Sequence, residues 1–373
     1  MKKYLFIIIL TFSFSGILLA QQINPEMSYH RYEGYIGTNI SITANVIQLY
    51  QKLTGNYQYR FIEEDNNMYF GKTIELEGDI DKNRNIRLRE FGRDDFTFTG
   101  TKKKGIIDGT WHGPSNKTLP FELKEYYPNG SMSFDVHYLH SEGELVKADP
   151  KSPLAEIELT LIYPTDKYIN PSVTDSVKKW ITYSFFGKGF KVKQPDSMLI
   201  IFEEEYLSNY VKQNKEWYSS GASFNWEKMI SMSVVYNSNY MLCLEYLVYG
   251  YTGGSHGMTN ISYDIIYLDD GKLLTFSDVF KENIKGELSA LLTQQLRKDY
   301  QIPGNVPLKE AGFFVDKVDP NHNIYVNGNG VGFLYNSYEI APYSQGATHI
   351  FLQWDQLQGI VKMGTPVYQM SLR

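Results

Sequence analysis

The chain has 373 residues, 42 acidic against 36 basic side chains, a formal charge of −6, 15% aromatic residues and one cysteine. The charge is spread evenly, with no basic face or tail, which excludes nucleic acid as a partner. A lone cysteine excludes an internal disulfide, and Cys243, inside the apolar run MLCLEYLVYGY, reads as a small buried hydrophobe.

Lys2 and Lys3, the apolar run from Leu5 and the ending GILLA before Gln21 form a signal-peptide pattern over residues 1–20. The run is broken by Thr11, Ser13 and Ser15 and is short for a bilayer span. The expectation is an exported protein, periplasmic or secreted, with no stable membrane span once the leader is cut. Cleavage leaves about 350 residues with a formal charge of −8, enough for two or three domains.

Residues 21–140 read as a mainly β domain. YFGKTIELEGDI, NIRLREF, FTFTGTKKKGIIDGTWHG, LPFELKEYY and SMSFDVHYL alternate apolar and polar residues between Gly, Asn and Asp turns. TANVIQLYQKL is ambiguous and is taken as a strand. Short strands with tight turns predict an antiparallel meander that closes into a small barrel, with Gly55 beside Tyr57 and Gly109 beside Trp111 at its bends. Trp111, Tyr57 and Tyr59 line either a cavity or, by default, the aromatic core. TKKKG, 101–105, reads as an exposed basic hairpin tip.

SEGELVKADPKSP, polar and with two prolines, places a linker at 141–152. From 153 to 373 the pattern becomes α+β, an antiparallel sheet with packed helices. AEIELTLIYP is a strand; NPSVTDSVKKWITYSFFG spaces Val173, Val177 and Ile181 for a helix. A second helix is expected from a cap at Asp196, and a hairpin is expected to turn at 237–239. TFSDVFKENIKGELSALLTQQLRKDY reads as one amphipathic helix with Ile284, Leu288, Leu291, Leu292 and Leu296 on one face. NIYVNG, GVGFLYN and THIFLQW close the chain as strands, with a helical turn near WDQLQGIV.

Three segments stand out. YGYTGGSHG, 249–257, carries Tyr251, Gly253, Gly254, His256 and Gly257; LDDGKLLTFSDVF spans 268–280; YEIAPYSQG, 338–346, carries Tyr338, Pro342, Tyr343 and Gly346. In this order they resemble the domain of unknown function shared by PdaC-type peptidoglycan deacetylases, as an accessory region, and the lysozyme-binding extracellular domain of RsiV-type anti-sigma factors. The resemblance covers roughly 153–362 and leaves the barrel outside. It implies a cell-envelope protein whose partner is an envelope glycan or a lysozyme-like protein, bound without catalysis.

The residues themselves leave two rivals open. The glycines allow a tight loop on which His256 either braces the turn or acts as a general base; Asp264, Glu339 and Tyr343 are its candidate partners in an envelope polysaccharide hydrolase or deacetylase. The barrel is the candidate carrier of a lipid or small ligand. Asp269, Asp270 and Gly271 have hairpin-turn chemistry, and His137 and His140 point to opposite sides of a strand. Glu203, Glu204 and Glu205 fan out from a helix as a solvated face. With no G-x-S-x-G, P-loop, cysteine cluster or dinucleotide fingerprint, neither metal nor cofactor is expected.

Overall fold

The computed structural model describes residues 26–62, 68–217 and 224–372; the leader expected at 1–20 lies outside the described residues. The N-terminal strands are β1 (Met27–Ile36), β2 (Ile40–Leu49), β3 (Lys52–Ile62), β4 (Met68–Phe70), β5 (Ile74–Ile80), β6 (Asn85–Glu90), β7 (Arg93–Lys103), β8 (Ile106–His112) and β9 (Thr118–Glu125). Each strand pairs antiparallel with the next around the ring, β3 pairing with β5, and β9 returns to β1. Eight strands thus form a closed barrel, with β4 attached to β3. The β9–β1 pairing closes the ring, and alternation lines its interior where burial is one-sided, as in β6, where NIRLRE buries Ile86, Leu88 and Glu90. The interior is filled by Tyr32, Leu53, Tyr57, Leu88, Phe98, Trp111 and Phe121, with Phe98 set edge-on to both Tyr57 and Phe121. Core packing is therefore the role of Tyr57 and Trp111. The bends need glycine: a Cβ on Gly55 or Gly109 would lie 2.1 Å from the carbonyl oxygen of Asn45 or Thr99.

The second sheet runs in the order β10 (Ser133–Glu144), β11 (Leu154–Thr165), β12 (Trp226–Ser238), β13 (Met241–Tyr251), β14 (Met258–Tyr267) and β15 (Lys272–Leu274). Two expectations are corrected here. SMSFDVHYL is not a barrel strand; it is β10, the edge of this sheet, paired along its length with β11. Residues 141–152 begin within that strand and continue as its hairpin connection, where Leu145 is buried beside Tyr210 and Trp226. The chain leaves the barrel instead at Tyr126–Met132, through a turn closed by Ser131 N–H on the Pro128 carbonyl.

β11 and β12 are parallel. A parallel pair needs a crossover, supplied by α1 (Pro171–Phe186) and α2 (Pro195–Asn214). Asn170 caps α1 by accepting from Ser172 N–H, and Val173, Val177, Ile181 and Phe185 form its buried stripe. The expected cap at Asp196 is displaced: α2 starts at Pro195, and the Asp196 carboxylate accepts from His137 Nδ1 at 2.7 Å.

The other face of the sheet is covered by α3 (Phe276–Val279), α4 (Lys285–Asp299), the small sheet β16 (Ile324–Asn327), β17 (Gly330–Tyr335) and β18 (Thr348–Gln353), and α5 (Pro366–Ser371). α3 and α4 replace the single helix expected there. Thr275 and Asp278 form a capping box on α3, and the chain breaks after Phe280 to pair with Val361. WDQLQGIV forms turns, not a helix. In β13, Leu242, Leu244 and Tyr246 face the α1 layer while Met241 and Cys243 face the α4 layer. That is why this strand reads as a continuous apolar run.

Carboxamides join the barrel to this sheet. Asn56 donates to the Val234 carbonyl (2.8 Å), and Asn237 donates to the Tyr29 hydroxyl (3.0 Å), which itself donates to Asn45. The turn at 327–330 docks on the barrel wall. Arg60 donates to the Gly328 carbonyl and to Asn329 Oδ1, Asn329 donates to the Gly71 carbonyl, and Asn327 donates to Thr73.

Candidate functional site

Two of the segments singled out in the sequence meet at one surface. β13 ends at Tyr251, and the loop through residues 252–257 returns the chain into β14. Gly253 and Gly254 hold φ of 96° and 104°, a region that side chains disfavour. Gly257 serves differently: a Cβ there would lie 2.3 Å from the Tyr249 hydroxyl, so its absence lets that ring cross the loop. Tyr251 donates to the Gly254 carbonyl at 3.1 Å and closes the turn.

The second segment is anchored from below. Ile340 and Ala341 are buried, and Ile340 accepts from Phe314 N–H. Pro342 precedes the short turn Tyr343–Gln345, which Gly346 ends at φ 71°. Tyr338 is held at φ 72°, a strained value for a non-glycine residue, with its N–H on the Ala341 carbonyl.

The imidazole of His256 stacks on Tyr343 with ring centroids 3.9 Å apart and planes 19° from parallel. Tyr338 stacks in turn on Tyr343 at 5.9 Å. A carbonyl only accepts, so the 2.8 Å contact of His256 Nδ1 with the Gly257 carbonyl places the proton on Nδ1. Nε2 is then the acceptor facing the Tyr338 hydroxyl at 3.4 Å. The result is a three-ring surface face, with His256 and Tyr338 exposed and Tyr343 half-buried between them.

Its alignment depends on residues that the sequence did not single out. Asn336 clasps Ile261 from both sides, accepting from its N–H at 2.8 Å and donating to its carbonyl at 3.1 Å, while Asn323 donates to the same carbonyl. These bonds tie the 336–346 segment to β14. Asparagines in polar stretches give no signal of this in the sequence.

Of the three candidate partners of His256, Tyr343 is in contact and the two carboxylates are not. Asp264 accepts from Ser184 on α1 at 2.7 Å, and burial raises its pKa. Glu339 accepts from Asn321. None of the ion pairs among the described residues involves His256. A neighbouring carboxylate, Glu227, acts on the Tyr249 phenol, whose pKa is raised first by desolvation and then by that charge.

The remaining candidates separate as well. His137 is buried against Asp196, whereas His140 is exposed and accompanied by Glu142 and Glu156. Asp269–Gly271 is the β14–β15 turn. Glu203 accepts from Ser141 across to β10, with Glu204 and Glu205 exposed. TKKKG departs from expectation. The hairpin turns at Lys104–Gly105, but Lys102 is buried, with Nζ donating to Gln48 Oε1 at 3.0 Å.

Residues 277–355 match the family model described as a protein of unknown function, DUF3298. The Gly-His loop lies just before that segment. Peptidoglycan-N-acetylmuramic acid deacetylase PdaC of Bacillus subtilis (strain 168) is 22% identical over 234 residues, covering 61% of this chain and 47% of PdaC. The chain thus spans about half the length of this relative. A DUF3298-family crystal structure from Bacteroides fragilis NCTC 9343 superposes with a TM-score of 0.62 at 22% identity, covering 66% of this chain and 100% of that one. Another from Pseudomonas aeruginosa PAO1 gives 0.44 at 17% identity, covering 62% and 95%. The chain therefore carries a DUF3298 match at residues 277–355 and is similar to PdaC, the deacetylase part of the resemblance that its sequence segments implied.

Proposed function

We propose that this is an exported protein of the cell envelope, with a C-terminal half that recognises an envelope glycan without cleaving it. The observation that carries the reading is the exposed His256–Tyr343–Tyr338 face. Stacked aromatic rings with polar edges suit the apolar faces and hydroxyls of sugar rings. A general base would need an orienting group and a reacting group within reach. His256 is oriented through its Nδ1 on a main-chain carbonyl, but its Nε2 faces a tyrosine, and its two candidate carboxylates, Asp264 and Glu339, are engaged elsewhere. The similarity to a deacetylase of peptidoglycan supports the envelope as the setting. Among the described residues no helix is long and apolar enough to cross a membrane.

The test is a pull-down on purified peptidoglycan and on immobilised lysozyme, combined with an assay for released acetate and soluble fragments. Retention on peptidoglycan that is lost in Tyr343→Ala at unchanged melting temperature is the expected result. Retention on lysozyme alone would move the partner from a glycan to a lysozyme-like protein. Turnover abolished by His256→Ala would replace recognition by catalysis.

A further inference from the structure

Lys102 leads to a second site, at the end of the barrel where β1 begins and where the β5–β6 and β7–β8 turns meet. A pocket of about 310 Å³ opens there, lined by Ser28, His30, Arg84, Lys102 and Lys104 with Met27 and Gly105. Three cations converge, and among the described residues none of them forms an ion pair. The acid at this end of the barrel, Glu125, is engaged by His30 at 3.0 Å. On the pocket wall Ser28 Oγ is buried without a hydrogen-bond partner, and so, in the barrel core, is the phenol of Tyr32, which lies within the field of Glu125 and Arg84.

Each of these features is unfavourable in the free protein. Like charges repel, and a buried hydroxyl without a partner costs about 1–3 kcal/mol. A small oxyanion in the pocket offsets the repulsion and gives the Ser28 hydroxyl an acceptor. We propose that the barrel end binds a compact acidic ligand, no larger than a monosaccharide, with its phosphate or carboxylate held by Lys102, Arg84 and Lys104 and by the Ser28 hydroxyl. The size limit follows from the pocket volume, at the small end of ligand sites. The inference is independent of the His256 face.

Burial, and then the charge of Arg84, bring the Lys102 pKa down to about 8, with Glu125 opposing them. Anion binding favours the charged amine, so affinity falls as pH rises through that value.

The test titrates the full protein at low salt with inorganic phosphate and separately with glucuronate, followed by ¹H–¹⁵N shifts and calorimetry. Expected are shifts at the amides of Ser28, Arg84, Lys102 and Gly105, affinity that weakens with salt and above pH 8, and at least about a tenfold loss in Lys102→Met. Tyr343→Ala leaves this binding intact, which separates the site from the aromatic face. If Lys102→Met does not fold, Lys104→Ser with Arg84→Ser provides the same readout, because both side chains are exposed. Phosphate binding alone, or glucuronate binding alone, identifies the source of the oxyanion. The proposal is overturned if neither probe binds at tens of millimolar, if the shifts map elsewhere, or if the charge-removing variants bind as the parent does.

Discussion

The barrel and the DUF3298-like half solve the same burial problem in opposite ways. The barrel has one interior, filled from the inner face of strands that mostly pair with their sequence neighbours. The second sheet is buried on both faces, beneath α1 and α2 on one side and α4 with the small sheet on the other. Its β11–β12 pair is separated by two helices. Local pairing makes the barrel's design repetitive. The two-sided sheet instead depends on layers contributed by distant parts of the chain, and the exposed His256–Tyr343–Tyr338 face is built by its loops.

The strongest test of this contrast is a matched pair of core truncations. Leu88→Ala in the barrel and Leu292→Ala in α4 each remove a buried side chain, and each is expected to cost about 3 kcal/mol in denaturant unfolding. If the carboxamide seam makes one cooperative unit, both variants shift the same transition. If only one of two resolved transitions moves in each variant, the halves fold separately.

Next in size is an effect of pH in the two-sided sheet. Burial, and then the charge of Glu75, raise the Glu245 pKa from 4.5 to about 7, against hydrogen bonds from Tyr263 and Ser233. Between these values the unfolded chain holds fewer protons than the native one. Stability is therefore expected to fall by on the order of 2 kcal/mol as pH rises from 4.5 to 7, and this contribution is constant above that. Glu245→Gln should flatten the slope in urea midpoints measured across that range; a parent whose midpoints rise through it would refute the assignment.

The seam comes third. Asn329→Ala removes two hydrogen bonds donated to barrel carbonyls and one accepted from Arg60. The expected loss is about 1–2 kcal/mol, seen as faster hydrogen exchange in β3 and in the 327–330 turn. The smallest effect belongs to the three-ring face: Asn336→Ala releases the clasp on Ile261 and should lower stability by only ~1 kcal/mol while weakening the proposed glycan retention as Tyr343→Ala does. Full retention would show that the clasp does not position the rings.

What the sequence revealed follows the same division. Most barrel strands and their glycine bends were readable because one-sided burial leaves a period of two. TANVIQLYQKL, taken as one strand, instead spans the end of β2, its turn and the start of β3, and was ambiguous because Ala44–Gln48 are buried in succession, with Ile47 packed into the second sheet's core. SMSFDVHYL was misplaced because an edge strand of the second sheet carries the same alternation as a barrel strand. TFSDVFKENIKGELSALLTQQLRKDY looked like one helix, since its apolar spacing does not register the main-chain pairing of Phe280 with Val361 that interrupts it.

By itself the sequence determined the closed barrel, the α+β half with its similarity to PdaC, and the glycines that permit the His256 loop, but not where the first half ends or how many helices follow β15. Only the tertiary structure decided that His256 meets Tyr343 and not a carboxylate, that Asn336 ties the 336–346 segment to β14, and that Lys102 turns into the barrel end. The physical reason is range. Alternation, turns and caps are fixed by residues within a few positions of each other. A ring stack between positions 256 and 343, or a cation cluster drawn from three hairpin ends, exists only once distant strands are paired.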